Sequence, residues 1–491
     1  MRNIIVALLL LSNVVCFATS VTSSAGDLSN LVSDKTITSL TVSGEIDARD
    51  LAFIADELTE LTALDLSRAR IVAFSGTEPV IGESLSFDAN VLPANVFFGK
   101  NYSSVVLPST LTSIGASALA GCASLTSIAI PASVTTISDD AFNASGLTIL
   151  TLPATIETMG ARVAANCASL TSATVNCSVL GDEAFAGCFM LTDVVIGDDV
   201  QTIGSGAFKG SAVTDVAFTQ NSGLQAIGDE AFMNTPIEDF DFASLSELQT
   251  IGMWAFANSR LKSVALGDNV QDIGDGAFFY NTELEQVDLS SGAIRIGDYL
   301  FAGDNAIDNE SVVPEGYTRI GEYAFYNWDQ VAQFILPASL TEIGDGAMAG
   351  MTGLSSITSH ATDVPSLGND VWDGVDQSHV TLYVDKNSIN AYKGARQWKE
   401  FNIAEDPTGI DEITATKPAV TAHFSGSTLI VSSTQELIQE ICVYETNGIL
   451  LTRLNPMSEN ASIEMLHYGG KLYLVTVTLR SGKTVSFKLS R

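Results

Sequence analysis

Residues 114–136 read IGASALAGCASLTSIAIPASVTT, and the same phrase begins again at Ile137. Its first position recurs at steps of 21–24 residues, and Leu92 fits one step before the first full copy. The later units begin at Met159, Leu180, Ile203, Ile227, Ile251, Ile273, Ile296, Ile320, Ile343 and Leu367. About thirteen units of this length are typical of a solenoid, in which each unit packs only against its neighbours.

Each unit contains two extended pieces. The pattern L-x-x-V-x-L, as at Leu261, Val264 and Leu266, alternates as a short strand with its apolar residues inward. Stacked units are expected to align these strands in one parallel sheet. The Ile-Gly step is a second extended piece, and the polar residue after it, such as Asp229, predicts the cap of a short helical turn that carries a buried Ala-Phe pair. The fold predicted is a leucine-rich repeat solenoid.

Both ends of the array depart from the repeat. Residues 27–91 predict a strand–helix–strand cap, with Asp47 at the N-terminus of the helix. The array spans residues 92–403, and its last part predicts a strand and a helix whose Tyr392 and Trp398 cover the open end. Such caps protect the strand edges and apolar faces that the ends of a solenoid would otherwise expose.

The repeat stops at a linker over residues 404–412. Residues 413–491 alternate apolar and polar residues between turn signals, and the TNG at 446–448 and the RSG at 480–482 are typical of hairpins. This segment predicts a small antiparallel β-sandwich.

The first 18 residues have the pattern of a secretory signal peptide. Arg2 precedes an apolar run over residues 4–15 that is too short to span a bilayer, and small residues follow from Ala18. Cleavage is expected near Ala18, or else near Ala25. Lipidation at Cys16 is an alternative fate for this segment. No membrane insertion is expected once the signal is removed.

The charge balance limits the possible partners. The 491 residues include 57 acidic and 23 basic side chains, for a net charge of −34. Such a field repels nucleic acid and anionic lipid headgroups, and it favours basic proteins. The four histidines lack metal or catalytic spacing, and no nucleophile elbow, phosphate-binding loop or dinucleotide motif occurs. The sequence therefore predicts no enzyme activity, no metal and no cofactor.

Five cysteines follow the signal segment, and three of them, Cys122, Cys167 and Cys188, share one position of the repeat. They are expected to pack as a ladder of small apolar side chains. A disulfide between Cys167 and Cys188, which lie in adjacent units, is the alternative.

The 23-residue phrase resembles the BspA-like, or Treponema-pallidum-type, leucine-rich repeats, and the likeness covers about residues 92–403. The closing segment is similar to the way such arrays end in Bacteroidetes proteins. The C-terminal stretch, with Tyr444, Gly470, Tyr473 and a basic end at Lys488, looks like a sorting domain of the type IX secretion system. The resemblance implies a secreted or cell-surface protein that binds host proteins, matrix or other bacteria, with no shared catalytic residues.

Aromatic residues concentrate in variable positions of the four units that begin between Ile251 and Ile320. Variable positions are expected to be exposed, and exposed aromatic side chains suit contact with a protein or a glycan. The candidate ligand-binding residues are Trp254, Phe279, Tyr280, Tyr299, Tyr323, Tyr326 and Trp328. Packing between loops is the alternative. The unit of Gly276 is expected to leave a gap that holds Phe279, Tyr280 or a group of the ligand.

The strand face offers a second candidate surface, because the curved sheet of a solenoid usually carries its binding site. Its later units carry the acidic residues Asp215, Glu238, Asp239, Asp241, Glu285 and Asp288, which predict a basic or cation-bridged partner. A further acidic row is expected to cap the helical turns, with shared calcium ions as the alternative. That row is Asp275, Asp298, Glu322 and Asp345.

These patterns predict a secreted or cell-surface, outer-membrane-associated binding protein without catalytic activity. Adhesion to host or matrix proteins through the repeat array is the expected role. The alternatives are a glycan-binding module that uses the aromatic residues, and a structural scaffold with no ligand of its own.

Overall fold

The computed structural model describes residues 18–76, 86–219, 222–289, 292–293, 295–304, 306–307, 311–406, 420–425, 428–433, 436–445, 450–465, 472–480 and 484–490. The chain divides into two compact units, with the division between Pro407 and Thr408. Residues 1–17 of the predicted signal peptide, which include Cys16, lie outside the described residues, as do most of the predicted linker, the turn at 446–448, Gly470 and residues 481–482. Within the described part, no helix is both long and apolar enough to cross a membrane.

The N-terminal end of the array is a parallel sheet with two helices. The strands, in their order across the sheet, are Ala18–Ser23, Ser39–Ile46, Ala63–Ile71 and Ser104–Val106. The helices are Leu28–Leu31 and Ala48–Glu57, and a short antiparallel pair joins Phe74–Ser75 to Ser86–Phe87. The last strand of this sheet belongs to the first repeat unit, so the cap continues directly into the array.

The helix Ala48–Glu57 begins as predicted at Asp47. The Asp47 carboxylate accepts a hydrogen bond from Arg49 N, and the Asp50 carboxylate accepts one from Asp47 N, both at 2.9 Å. These bonds satisfy N–H groups that the start of a helix leaves without partners. The buried face of the helix, with Leu51 and Ile54, covers the end of the solenoid core.

The L-x-x-V-x-L segments form parallel strands with alternate residues buried, as predicted. They fall into separate runs of paired strands along the array. The runs are Ile149–Leu152, Ser172–Val175, Asp193–Ile196 and Asp215–Phe218; Ser263–Ala265 and Gln286–Asp288; and Ser311–Val312, Gln333–Leu336, Ser356–Ser359, Thr381–Val384 and Asn402–Glu405. The first run stops where Asp241 accepts from Ser244 N and starts the 3-10 helix Phe242–Ser244 instead of a strand.

The Ile-Gly steps form a second series of parallel strands, each two residues long, with the repeat Ile pointing into the core. These strands are Val91–Leu92, Ser113–Ile114, Thr136–Ile137, Thr158–Met159, Val179–Leu180, Thr202–Ile203, Ala226–Ile227, Thr250–Ile251, Asp272–Ile273, Arg295–Ile296, Arg319–Ile320, Glu342–Ile343 and Ser366–Leu367.

The Ala-Phe segments form turns that pair with the next unit, and the predicted helical turns are absent from the described units. In the unit that begins at Ile227, the N–H groups of Glu230, Phe232 and Asn234 donate to three carbonyls of the following unit at 2.7–2.9 Å. An α-helical turn would direct such bonds back within its own unit. The turns therefore add a third ladder of hydrogen bonds between units.

The acidic residue after the repeat Gly also bonds across units, so the capping prediction is wrong. Asp229 Oδ1 accepts from Met253 N at 2.7 Å, and Asp298 Oδ1 accepts from Glu322 N at 2.8 Å. The same bond recurs at Asp182, Asp275 and Asp345. Among the described residues, no group of three His, Cys, Asp or Glu side chains is placed to hold a metal ion.

The core of the array contains a row of phenylalanine rings, one per unit. Their centroids are 5.1–6.2 Å apart and neighbouring rings lie within 15° of parallel. The rings belong to Phe185, Phe208, Phe232, Phe256, Phe278, Phe301 and Phe325, and each is fully buried. Their stacking fixes the registration of each unit on the next.

Cys122, Cys167 and Cys188 share one position, eight residues after the first residue of each unit. The side chain at this position is buried and donates a hydrogen bond. Each thiol donates to the carbonyl of the repeat-Phe position in the preceding unit, at 3.1–3.2 Å. We call it the donor position. The predicted packing is confirmed, and the disulfide alternative is wrong because all five described cysteines are free and buried.

The array closes with the helix Ile389–Gly394 and the 3-10 helices Gln377–His379 and Trp398–Glu400. Tyr392 and Trp398 are buried as predicted. Trp398 Nε1 donates to the Pro365 carbonyl at 3.0 Å, which satisfies its polar atom inside the cap.

The C-terminal unit is the predicted antiparallel sandwich. One sheet contains Val420–Ser425, Thr428–Ser433 and Asn460–Glu464, and the other contains Leu450–Leu454, Ile438–Glu445, Leu472–Leu479 and Thr484–Ser490. Leu429 and Val431 of the first sheet share one buried core with Val443 and Val475 of the second.

Truncation of a ring in the phenylalanine row should strongly destabilise the array. We expect Phe232→Ala to lower the free energy of unfolding by about 3–5 kcal/mol, because it opens a cavity between two stacked neighbours. Phe189→Ala is the matched control, since 70% of that side chain is exposed. Urea titration of both variants gives the comparison, and equal losses would show that the register is wrong.

The two compact units should be separable by protease. Because the division lies at Pro407, we expect limited proteolysis to cut within residues 404–412 and leave a folded array. Calorimetry of the isolated fragment should give the melting temperature that the array has in the full chain. Unfolding of the array after loss of residues 413–491 would contradict this boundary.

Candidate binding surface

Six of the candidate aromatic residues lie together on consecutive turns of the array. We call them the aromatic ridge: Trp254, Phe279, Tyr280, Tyr299, Tyr323 and Tyr326. Tyr280 and Tyr326 are 51% and 40% exposed, and the other four are half-buried. The structure thus brings together the residues that the sequence singled out, with one exception.

Trp328 is that exception, and its prediction as an exposed ligand-binding residue is wrong. It occupies the donor position and is fully buried. Its ring packs 4.7 Å from that of Phe325, and its Nε1 donates to the Phe301 carbonyl at 2.8 Å. The signal that could have found this is the recurrence of Cys at the same position in earlier units.

Three residues of the aromatic ridge have a left-handed backbone conformation, which favours glycine. Trp254, Tyr299 and Tyr323 have φ of 55°, 57° and 51°. A left-handed conformation costs a residue with a side chain on the order of 1 kcal/mol relative to glycine. The equivalent residues in other units include Gly206, Gly276 and Gly346. Since the fold accepts glycine there, it does not require a ring at this position.

Tyr280 occupies a second left-handed position, four residues further along the unit, with φ of 59°. Other units place Asn234, Asn258 and Asn327 there, and asparagine tolerates this conformation better than a bulky residue does. An exposed tyrosine at such a position gains nothing from core packing, which favours a role outside the fold.

The rings of the ridge contact one another along the array. Tyr299 and Tyr323 stack with their centroids 5.3 Å apart and their planes within 15°. Trp254 lies 6.4 Å from Tyr299 and meets Phe279 edge to face at 5.2 Å. Tyr323 meets Tyr326 edge to face at 5.9 Å, so the half-buried rings present mainly their edges to solvent.

The gap expected at Gly276 is closed, so that prediction is wrong. The Trp254 ring leans across the unit boundary and lies over Gly276, where a Cβ would collide with it. The Tyr323 ring lies over Gly346 in the same way. Glycine in these two units therefore makes room for the ring of the preceding unit.

A row of acidic residues runs beside the ridge from Asp275 to Asp345, one residue before the ring position in each of four units; the residue before Trp254 is Met253. The ridge backbone is bonded to it: Tyr299 N donates to the Glu322 carbonyl at 2.7 Å, and Tyr323 N donates to the Asp345 carbonyl at 2.9 Å. Burial raises the pKa of Tyr299, and the nearby Tyr323, Glu322 and Asp298 raise it further. The ridge therefore lies in a negative field.

The strand face is less acidic than the sequence suggested. Glu238 pairs with Lys262 and lies 3.5 Å from Arg260, which also pairs with Glu283 at 2.7 Å. Asp241 caps a 3-10 helix and serves the fold. Asp215, Asp239, Glu285 and Asp288 are exposed. Arg260 and Lys262, which the repeat pattern does not point to, face the same side as these carboxylates and reduce their field.

An open groove of about 470 Å³ follows the two-residue strands between Asp182 and Arg295. Its polar lining includes Asp229 and Asp275, whose carboxylates already accept backbone N–H groups of the next unit. The groove is lined in part by Met253, the residue before Trp254, so it lies next to the aromatic ridge.

Asp304 is a buried acid that no sequence motif points to. Its Oδ1 accepts from Asn281 N at 2.5 Å, and its Oδ2 has no hydrogen-bond partner within the described part of the chain. Burial raises the pKa of Asp304 well above its ordinary value. Asp304 occupies the donor position of its unit, and in the units on either side Asn281 and Trp328 donate hydrogen bonds from the same position. A protonated carboxyl fits this position because it also carries a proton. Through Asn281, it holds the backbone next to Tyr280.

Asp304→Asn should stabilise the chain increasingly as the pH rises. A carboxyl whose pKa is raised by folding contributes most below its unfolded pKa near 3.9, and its contribution falls by about 1.4 kcal/mol per pH unit as the pH rises toward the folded pKa. The amide has no proton to lose. Urea titrations from about pH 4 to 7 should show a growing difference between variant and wild type.

The exposed Asp288→Asn is the control for this series, because it removes a carboxylate that is already in water. Its free energy of unfolding should follow the wild type at every pH. If Asp304→Asn behaves like Asp288→Asn, then Asp304 is ionised in the folded chain.

Stacked units with buried Ile and Phe rows, and side chains displayed on their turns, define a leucine-rich repeat solenoid. A family model described as the BspA type leucine rich repeat region, in six copies, matches residues 90–215, 178–308 and 305–414. The chain belongs to this family.

Comparison with solved structures gives the following similarities. A leucine-rich repeat protein from Bacteroides ovatus is 17% identical over 79% of this chain and 87% of its own, with a TM-score of 0.52. A leucine rich cell surface protein from Faecalibacterium prausnitzii is 21% identical over 58% and 87%, with a TM-score of 0.30. The pneumococcal vaccine antigen PcpA is 17% identical over 70% and 84%, with a TM-score of 0.31. No curated protein matches the chain.

Proposed function

We propose that this chain is a non-catalytic binding protein, secreted or held at the outer membrane surface, that adheres to host or matrix proteins through the aromatic ridge. The observation that carries the proposal is the set of large aromatic residues at left-handed positions where the fold accepts glycine or asparagine. Strained residues that the fold does not require are concentrated at functional sites. Tyrosine and tryptophan are also the residues that dominate protein interfaces.

A protein partner fits the ridge better than a glycan. Sugar rings stack on exposed aromatic faces, but Tyr299 and Tyr323 cover each other and Trp254 lies on Gly276. Only Tyr280 and Tyr326 are exposed members of the ridge. Edges and hydroxyl groups suit the mixed apolar and polar contacts of a protein interface.

The surface location is supported by the family and by the N-terminal sequence. The Faecalibacterium relative is described as a cell surface protein. The C-terminal sandwich is proposed as a sorting domain for type IX secretion, on the basis of its antiparallel sheets and its sequence likeness. Loss of export on deletion of residues 413–491 would support that assignment, and unchanged export would contradict it.

The binding role is tested with a panel of purified matrix proteins and a glycan array, using the full mature chain. Trp254→Gly with Tyr323→Gly removes two rings and relieves the backbone, so we expect binding to fall at least about 15-fold, equivalent to about 1.6 kcal/mol or more, with little change in melting temperature. The control is Glu183→Gly with Glu230→Gly, at the same position of two other units.

The outcomes separate the candidates. Loss of binding in the ring variant alone supports the ridge. Equal loss in Glu238→Gln with Asp239→Asn would move the site to the strand face. Binding to the glycan array but not to the matrix panel would favour the glycan module, and binding to neither would favour the scaffold.

A further inference from the structure

The charges around the ridge indicate what its partner presents. Residues 251–350, which contain the whole ridge, include 15 acidic and 4 basic residues. Each basic side chain lies within 4 Å of a carboxylate: Arg260 with Glu283, Lys262 with Glu238, Arg295 with Asp275, and Arg319 with Asp298. The remaining carboxylates are in excess, and a partner must neutralise them or tolerate them.

The excess charge is placed beside the rings. Tyr299 and Tyr323 share their units with Asp298 and Glu322, the residues immediately before them. Asp298 is bonded to Glu322 N and lies 3.6 Å from Arg319, whereas the Glu322 side chain is exposed. Successive units of a parallel ladder lie about 4.8 Å apart, so carboxylates and rings form two adjacent rows.

The same turns display the two exposed rings of the aromatic ridge, Tyr280 and Tyr326. Tyr326 meets Tyr323 edge to face at 5.9 Å, and Tyr280 lies 5.9 Å from Phe279, so both exposed rings belong to the same surface as the half-buried ones. A cation over an aromatic face, with a carboxylate nearby, gains both a cation–π contact and an ion pair. Guanidinium suits such a site better than ammonium because it is planar and stacks on rings.

We propose that the aromatic ridge binds a basic segment of its protein partner, with arginine side chains laid on Tyr280 and Tyr326 and paired with carboxylates of the adjacent row. This inference rests on the proposed function of the ridge and names the chemistry of its partner. Arginine supplies the positive charge, the planar group and the hydrogen-bond donors that complement the excess carboxylates and the exposed rings.

The probe is a labelled twelve-residue peptide of four Arg-Gly-Ser repeats, with Lys-Gly-Ser and Gln-Gly-Ser peptides of equal length beside it. Fluorescence anisotropy with the full mature chain, at about 0.15 M salt, measures each Kd. We expect the arginine peptide to bind more tightly than the lysine peptide, and the glutamine peptide to show no measurable binding.

The ring variants follow substitutions that the repeat already makes. Tyr280→Asn introduces the residue type that Asn258 has at the equivalent position of another unit, and Tyr326→Ala introduces the residue type that Ala302 has. Together they should raise the Kd of the arginine peptide at least about tenfold, as expected for loss of a cation–π contact and a hot-spot ring. Glu322→Gln should raise it severalfold, and the control Glu183→Gln, an exposed glutamate outside the ridge, less than twofold.

Equal binding of the arginine peptide to wild type and ring variant would overturn the proposal, because the attraction would then come from the net charge of −34 alone. Equal effects of Glu322→Gln and Glu183→Gln would overturn it for the same reason. A photo-reactive arginine peptide tests the wild type without any variant. Cross-links within residues 276–280 and 322–327 support the site, and cross-links spread along the array contradict it.

Failure of this inference is distinct from failure of the proposed function. If the variant with Tyr280→Asn and Tyr326→Ala no longer binds a matrix protein but still binds the arginine peptide, the ridge binds a partner that is not basic. If this variant still binds the matrix protein, the ridge is not the binding surface, and both proposals are wrong.

Discussion

Hydrogen bonds between successive units, rather than within them, determine this structure. The two series of strands, the turns and the Asp side chains all direct their bonds to the adjacent unit. The chain must therefore return to the same place in every unit, about 4.8 Å further along. This constraint explains why the Ile, Phe and donor positions recur, and why the segments between them vary.

The turns obey the same constraint, and some of their side chains lie at the surface. To aim alternate N–H groups at the next unit, each turn uses left-handed residues at two places, which favours glycine and asparagine. The side chains there point away from the core and are free to change. The rings of the aromatic ridge occupy these positions at a cost in backbone strain. Two of them pack onto glycines of the next unit, and this packing offsets part of that cost. The proposed binding role and the stability of the array thus depend on different positions of one repeat.

Much of the fold was accessible from the sequence, because burial is periodic. The Ile and Phe positions, the cap at Asp47 and the buried cysteine ladder were all predicted correctly. Errors arose where a side chain has two possible partners. Asp229 was assigned to its own turn but bonds to the next unit, since sequence spacing does not give the direction of a carboxylate. Trp328 was assigned to the surface by its residue type, although its position of the repeat is buried. The left-handed position of Tyr280 was detectable from recurring Gly and Asn. The one that Trp254 occupies, which also holds Glu183 and Glu230, required the structure, as did the pairing of Lys262 with Glu238.

The central claim is that the turns, not the strand face, contact the partner. Hydrogen–deuterium exchange of the full mature chain, with and without a matrix protein that binds it, tests this most directly. The account predicts added protection at residues 253–258, 276–280, 299–303 and 323–327, with none at residues 213–218 and 237–241. Protection confined to the two strand-face segments would contradict it.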